Sequence, residues 1–236
     1  MKFWKSLDLL IPLLALALLT LLFRVTDLDL RLQSLFFIRG EGWIYGEGNP
    51  WLFLYDYGTL PAVVLAAASF VLFIASFRLP RVLPYRRETL FLVLLLIIGP
   101  GLVVNVIFKD HWGRPRPREI ETFSGQERFL PAWDKGLSGS GKSFPSGHAS
   151  MGFYLFSPYF LLRGTSRKRT GWSLFFLFLG LGYGTLMGVG RMIQGGHFAS
   201  DVIWSAGFVY LCGWGLCRLL RLNGVRAAVP ELEPSV

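Results

Sequence analysis

Three short clusters of cationic and imidazole side chains are the parts of this sequence that could do chemistry. They lie within residues 109–117, 145–148 and 191–201. Arginine presents a planar fork of donors to phosphate oxygens, and lysine adds a compact positive charge. Histidine transfers protons near neutral pH and can act as a nucleophile. The clusters therefore indicate a site that binds a phosphate group.

In the first cluster, Lys109 and Arg116 lie on either side of a proline-rich turn. Taken alone, a basic patch beside an apolar block is as readily a solvated edge as a binding site. Three further residues lie in or beside this cluster: His111, Arg114 and Arg118. They could bind a second phosphate, but we favour the interpretation that they are solvated loop charge.

The second cluster lies where an apolar block begins, so Ser146 is expected to cap the start of a helix. Free amides at a helix start bind anions, which makes Ser146 and Gly147 candidate phosphate ligands. Gly147 would let a phosphate approach the backbone closely. His148 beside these amides is a candidate acid and base, although an ordinary capped helix with a surface histidine would show the same letters.

In the third cluster, His197 and Asp201 are spaced to share one face of a helix. A carboxylate bonded to one imidazole nitrogen would leave the other nitrogen as a nucleophile. Arg191 precedes them and could return to the same site. A lone His–Asp pair is often structural, so the assignment depends on all three clusters together.

Hydrophobic residues make up 53% of the chain and fall in blocks rather than alternating. About 20 apolar residues are needed to cross a bilayer as a helix. We therefore predict an all-α, six-transmembrane-helix bundle that forms one integral membrane domain over residues 1–236. The first block resembles a signal peptide, but it continues past its cleavage-like triplet, so we expect a retained helix. The expected spans are 7–24, 59–77, 89–108, 147–162, 171–189 and 200–217.

The formal net charge of +9 is concentrated in the breaks that fall on one side of this topology. The positive-inside tendency makes that side cytoplasmic and puts both termini there. The three clusters then share the opposite, periplasmic face. Because the topology follows from the apolar blocks and the charge distribution alone, this convergence supports it independently. Because the charge is mostly topological, we expect no nucleic-acid partner.

A short amphipathic segment and four tryptophans are expected to lie at the membrane surface near the clusters. Residues 29–37 predict a short amphipathic helix lying on the membrane surface. We assign to membrane anchoring, or to framing a lipid entry, four tryptophans: Trp43, Trp51, Trp112 and Trp133.

Residues 136–143 match the nucleotide-binding P-loop pattern letter for letter. A true P-loop needs a preceding buried strand, a following helix and a parallel sheet that holds both. The preceding stretch is broken by Pro131, and the loop between two spans is too short for such a sheet. We therefore expect a flexible lid and no nucleotide partner.

The order and spacing of the clusters resemble the three-part signature of the type-2 phosphatidic acid phosphatase superfamily. The matching residues are Lys109, six residues, Arg116-Pro117; Pro145-Ser146-Gly147-His148; and Arg191, five residues, His197, three residues, Asp201. One position departs from the pattern, because Gly190 stands where the family usually has serine.

The resemblance implies phosphoester hydrolysis through a phosphohistidine, with no metal and no cofactor. His197 would attack phosphorus, Asp201 would orient it, and His148 would protonate the leaving oxygen and then activate water. The phosphate oxygens would be held by Lys109, Arg116, Arg191 and the amides of Ser146 and Gly147.

A site at a membrane face favours a substrate delivered within the bilayer, either a lipid phosphate or a lipid diphosphate. The sequence around His148 resembles bacterial envelope enzymes of the inner membrane, and we expect a lipid A 1-phosphatase. Phosphatidylglycerophosphate and undecaprenyl diphosphate remain alternative substrates. A phosphotransferase with the same nucleophile, or a transporter that only binds the anion, also remains open; the transporter is disfavoured because no internal repeat is visible.

Overall fold

The computed structural model describes residues 2–163 and 167–222. Within those residues the secondary structure is helical, and no β-strand forms. The expected all-α class is confirmed for the described part of the chain. The expected cytoplasmic C-terminus lies outside the described residues.

Long apolar helices build most of the fold, since a backbone in lipid must satisfy its hydrogen bonds within its own segment. Five are long and apolar enough to cross a membrane: Ser6–Val25, Trp51–Ala75, Leu83–Lys109, Thr170–Ile193 and Ala199–Leu219. They belong to α1 (Lys2–Val25), α3 (Trp51–Tyr57) with α4 (Leu60–Ala75), α5 (Arg86–Leu96), α8 (Arg167–Ile193) and α9 (Ala199–Leu219).

The expected fourth span is the one that differs from the other five. Its path runs over the expected residues but as two short helices, α6 (Gly147–Phe153) and α7 (Ser157–Leu162), joined by a 3₁₀ turn at Tyr154–Phe156. It packs chiefly against α8, and Tyr154 and Phe156 are fully or almost fully buried. Because this segment is short and interrupted, its length alone does not identify it as a membrane span.

The third long helix changes its geometry before it reaches the first cluster. After α5 the chain continues as a π-helical segment over Ile97–Lys109, with Pro100 inside it. A proline in a helix removes a donor and clashes with the preceding turn, so the wider winding is a local accommodation. Asn105 Nδ2 donates to Pro100 O at 2.7 Å. The segment ends at Lys109, the first predicted phosphate ligand.

The structure contains a helix in the region predicted to be amphipathic, residues 29–37, but two polar side chains of this helix are buried. It forms α2 (Leu28–Ser34), in which Asp29 and Gln33 are almost completely buried. Gln33 Nε2 donates to Met192 O at 2.5 Å. The expected surface helix is therefore docked through its polar face onto the protein, because Asp29 and Gln33 find partners there.

An aromatic cluster forms from residues that lie outside the predicted lid of residues 136–143. Trp112 and Trp133 pack edge to face at 4.9 Å and contact Phe108 and Phe144. Trp112 Nε1 also donates to Ala132 O at 2.8 Å. These tryptophans thus fix the loop between the third and fourth expected spans, which differs from the membrane-anchoring role we expected.

In the described residues, the P-loop-like segment lacks the strand and the parallel sheet that a P-loop requires. Gly136 N donates to Trp112 O at 3.0 Å and Ser143 N donates to Arg114 O at 2.9 Å, so the loop is tied to the first cluster. No strand precedes it in the part of the chain that the structure describes. The absence of a nucleotide partner stays a prediction.

Candidate active site

The structure brings the three clusters together around one cavity of about 500 Å³. Four cations line it, namely Lys109, Arg116, Arg118 and Arg191, together with the two histidines His148 and His197. Trp43, Leu52 and Tyr55 from the N-terminal third add an apolar wall. The cavity therefore combines a strongly positive floor with a surface that could contact a less polar group.

His197 lies just before α9 and is held with one ring nitrogen bonded and the other free. Its Nδ1 is 2.5 Å from Ser143 O, which can only accept a hydrogen bond. Nδ1 must therefore carry the proton, and Nε2 carries the lone pair. No partner for Nε2 occurs among the described residues, so the nitrogen that could attack phosphorus is unoccupied.

The spacing predicted a direct hydrogen bond between Asp201 and His197, but the structure does not show one. Its Oδ2 lies 3.9 Å from His197 Nδ1, too far for a hydrogen bond. Oδ2 instead accepts from Ser143 Oγ at 2.6 Å and from Phe198 N at 2.7 Å. The link to His197 thus runs through Ser143, whose side chain contacts Asp201 and whose carbonyl contacts the imidazole.

His148 is positioned by Tyr55, which sequence reasoning missed. The two rings stack with centroids 4.8 Å apart and an angle of 14° between their planes. The Arg191 guanidinium lies 4.6 Å from the centre of the same tyrosine ring. Nothing in the three clusters pointed to Tyr55, because it is nearly a hundred residues away from His148 in the chain.

Two of the cations present unpaired donors in a buried setting. The Nε atoms of Arg116 and Arg191 are buried and have no hydrogen-bond partner among the described residues. A buried donor without a partner costs roughly 1–3 kcal/mol, which a bound anion would offset. Arg191 is fixed by Gln194, whose Oε1 accepts from Nη1. Both arginines are therefore arranged for an acceptor such as a phosphate oxygen.

Gly147 lies in a crowded position beside Lys109, and the amide of Ser146 is already used within the protein. A side-chain carbon at Gly147 would lie 2.6 Å from Asn105 Oδ1 and 3.2 Å from Lys109 Nζ. Ser146 caps α6 as expected, with Oγ accepting from Ala149 N at 3.4 Å. Its own amide, however, donates to Asp201 O at 3.4 Å and so is used within the protein. Of the two expected backbone ligands, Gly147 is the one that the geometry favours.

Gly190, the one departure from the superfamily pattern, lies against Trp51. A side-chain carbon at this position would be 3.3 Å from Trp51 Cε3, tighter than ordinary van der Waals contact. A serine at 190 would therefore require the indole ring to shift. The glycine and the tryptophan fit each other in this chain.

Arg114 is not the solvated loop charge that we expected. Its side chain is 0% exposed. It pairs with Asp29 at 2.8 Å through Nη2 and with Asp201 through Nη1. Burial alone would lower the pKa of this guanidinium, but the two carboxylates outweigh burial and raise it. Arg118 and His111 are exposed as expected, and Arg118 lines the cavity.

The environment of His197 favours its neutral form. Burial lowers the pKa of the imidazole well below its usual value, and the charges of Lys109 and Arg191 lower it further. A neutral imidazole with a free Nε2 is the form that a nucleophile requires.

Acid should therefore destabilise the protein through His197. Because the folded-state pKa is depressed, the unfolded state binds the extra proton as pH falls below about 6.5. Each further pH unit should lower the free energy of unfolding by up to about 1.4 kcal/mol. In phosphate-free detergent solution, Tm should fall between pH 7.5 and pH 5.5, and this fall should be a few degrees smaller for His197→Gln than for the wild type. Parallel Tm profiles would contradict the buried neutral imidazole.

Comparison with known proteins identifies the class. The family model described as the PAP2 superfamily matches residues 88–224, and the chain belongs to this superfamily. The match contains all three clusters and confirms the resemblance found in the sequence. It leaves out α1 to α4, which carry Asp29 and Tyr55.

Three bacterial relatives share the name lipid A 4′-phosphatase. The protein from Francisella tularensis subsp. novicida is 41% identical over 155 residues, which are 63% of this chain and 64% of that protein. The one from Rhizobium leguminosarum is 35% identical over 109 residues, 46% of this chain and 44% of its own. The one from Rhizobium etli is 48% identical over 62 residues, 26% and 24% of the two chains. The matches thus span less than two thirds of each relative. No solved structure matches the chain.

Proposed function

We propose that this protein is a membrane phosphatase that hydrolyses a lipid phosphate through a phosphohistidine intermediate. The observation that carries the proposal is the single cavity, in which the free Nε2 of His197 meets His148 and the three cations of the superfamily signature. Phosphoryl transfer depends mainly on positioning and on neutralising charge spread over the phosphate oxygens. This cavity supplies both.

In the first step, His197 Nε2 attacks phosphorus, an N–P bond forms, and the bond from phosphorus to the lipid oxygen breaks. Lys109, Arg116, Arg191 and the Gly147 amide hold the three remaining oxygens. His148 gives a proton to the departing lipid oxygen, and the bound phosphate's negative charge favours the protonated form of this histidine. In the second step, His148 takes a proton from water as the water oxygen attacks phosphorus. The N–P bond breaks, its electron pair returns to His197 Nε2, and inorganic phosphate is released.

We further propose that the substrate is lipid A and that the bond cleaved is at the 4′-phosphate. All three relatives carry that name, and the sequence expectation of the 1-phosphate is replaced on this ground. The apolar wall of Trp43 and Leu52 beside the cations supports a substrate whose phosphate is attached to a less polar body.

We propose that the chain sits in the bacterial inner membrane with six spans, both termini cytoplasmic and the cavity facing the periplasm. The five long helices support a multi-pass protein. The interrupted path from Gly147 to Leu162, the fourth expected span in chain order, would bring the number of spans to six. The Lys and Arg groups that fall on one side of this topology support the orientation.

Phosphate release from a panel of lipids tests the substrate. Detergent-purified protein with EDTA present should release phosphate from the 4′ position of lipid A much faster than from the 1 position. It should act slowly or not at all on phosphatidylglycerophosphate and undecaprenyl diphosphate. Preference for another lipid would overturn the substrate, and label passing to an acceptor lipid instead of water would indicate a phosphotransferase.

A further inference from the structure

A buried ion-pair network lies directly behind the cavity and joins α2 to the start of α9. Arg114 is at its centre, with Asp29 on one nitrogen and Asp201 on another. Arg114 Nη1 also donates to Ser200 Oγ at 2.9 Å, and Nε donates to Leu130 O at 2.8 Å. With five donors and a planar shape, a guanidinium can fix several partners at once. Arg114 thus connects three segments that are distant in sequence.

Asp29 contributes more than a charge to this network. Its Oδ1 accepts from Ser200 N at 3.0 Å, and its Oδ2 accepts from Ser200 Oγ. Ser200 lies in the first turn of α9, where backbone N–H groups have no partner within the helix. A carboxylate at this position also interacts favourably with the helix dipole. Asp29 therefore holds the beginning of α9, only three residues from His197.

From Arg114 the contacts continue to the reacting imidazole. Asp201, held by Arg114 through Oδ1, accepts from Ser143 Oγ at 2.6 Å through Oδ2. Ser143 O then lies 2.5 Å from His197 Nδ1. Every link is buried, so each contact is little weakened by water. An unbroken series of hydrogen bonds joins Asp29 to the nucleophile.

We propose that Asp29 and Arg114 are positioning residues, which fix the His197 ring through Asp201 and Ser143 without touching the substrate. Asp29 lies outside residues 88–224, so the family match assigns it nothing. The inference rests on the proposed hydrolysis at His197. It gives the N-terminal segment an indirect part in the reaction, because the imidazole orientation depends on a carboxylate from α2.

Asp29→Asn is the sharpest variant, because it keeps the size of the side chain and removes its charge. A shift of about 1 Å at a reacting group can lower the rate about 100-fold, so we expect kcat to fall by about 30- to 100-fold. Lys109, Arg116 and Arg191 are not in the network, so KM and inhibition by inorganic phosphate should change by less than about threefold. Asp27→Asn, two residues away and exposed, is the matched control and should keep wild-type kcat.

A double-mutant cycle with Ser143→Ala tests the route. If Asp29 acts through Ser143, the two substitutions together should lower kcat little more than the stronger one alone. If the fold decreases in kcat of the two single variants multiply in the double variant, the route through Ser143 is wrong. A kcat for Asp29→Asn within threefold of the wild type would overturn the proposal. So would a parallel loss of kcat and phosphate affinity, which a merely structural role would produce.

Ser200→Ala keeps the test decisive if Asp29→Asn does not fold. It retains all three charges but removes the hydroxyl shared by Asp29 and Arg114, and we expect about a tenfold fall in kcat at constant KM. An unchanged kcat would again overturn the proposal. These results are distinct from failure of the proposed function, which would appear as no phosphate release by the wild type and Asp27→Asn from any lipid tested.

Discussion

His197→Ala should lower kcat/KM for lipid phosphate hydrolysis by at least about 1000-fold, because the proposed covalent intermediate forms on its Nε2. Ser143 O bonds Nδ1 of His197, which fixes the ring and leaves Nε2 free in the cavity. The measurement is phosphate release from lipid A, with folding checked by a Tm close to that of the wild type. His197 makes one side-chain hydrogen bond, so its removal should leave the fold intact.

His111→Ala is the matched control for this prediction. It removes an imidazole from the turn just after Lys109, but His111 is exposed and its Nδ1 bonds at 3.0 Å to Val106 O in the preceding helical segment. Activity should stay within about threefold of the wild type. If His197→Ala kept more than a tenth of wild-type activity, His197 would not be the nucleophile.

His148→Asn should lower kcat/KM by about 100- to 10,000-fold on a lipid phosphate, the range typical of a lost general acid. The lipid oxygen is a poor leaving group and needs a proton as the P–O bond breaks. His148 can supply it because Tyr55 holds the ring at 4.8 Å in a stacked arrangement. Asparagine fills similar space but cannot transfer a proton.

The loss should be much smaller on an aryl phosphate such as p-nitrophenyl phosphate, whose leaving group needs no proton. Comparing kcat/KM on the two substrates isolates the first chemical step, because this ratio does not report on the later hydrolysis of the intermediate. An equal loss on both substrates would show that His148 binds or positions the phosphate and does not act as the acid.

Much of the site was predictable because its signals are local in sequence. Arg191, His197 and Asp201 lie within eleven residues, and the break before α6 marks an N-cap at Ser146. Helical periodicity and capping rules act over a few residues, so they remain reliable without knowledge of the tertiary fold. The all-α class followed equally directly from the length of the apolar blocks.

The misassigned residues depend on contacts between distant parts of the chain. Arg114 has the sequence context of a solvated loop cation, and only the positions of Asp29 and Asp201 explain its burial. The spacing of His197 and Asp201 fits a direct bond, yet Ser143 reaches between them from another loop. Sequence spacing reports which residues can meet on one helix, but it does not report what a third segment inserts.

The fourth expected span was uncertain for a different reason. Its hydrophobicity suits a membrane helix, but the 3₁₀ turn at Tyr154–Phe156 divides it. Small residues there allow close packing: a side-chain carbon at Gly152 would lie 2.7 Å from Gly184 Cα in α8. The interruption therefore reflects packing against a neighbouring helix, which composition does not encode.

The phosphohistidine itself tests the central claim most directly. Protein mixed with lipid A labelled at the 4′-phosphate should be quenched within one turnover in alkali, where an N–P bond survives, and the label located by peptide mass analysis. We predict label on His197 in the wild type and in His111→Ala, its loss in acid, and none in His197→Ala. Label on another residue, or full turnover by His197→Ala without any labelled protein, would contradict the account.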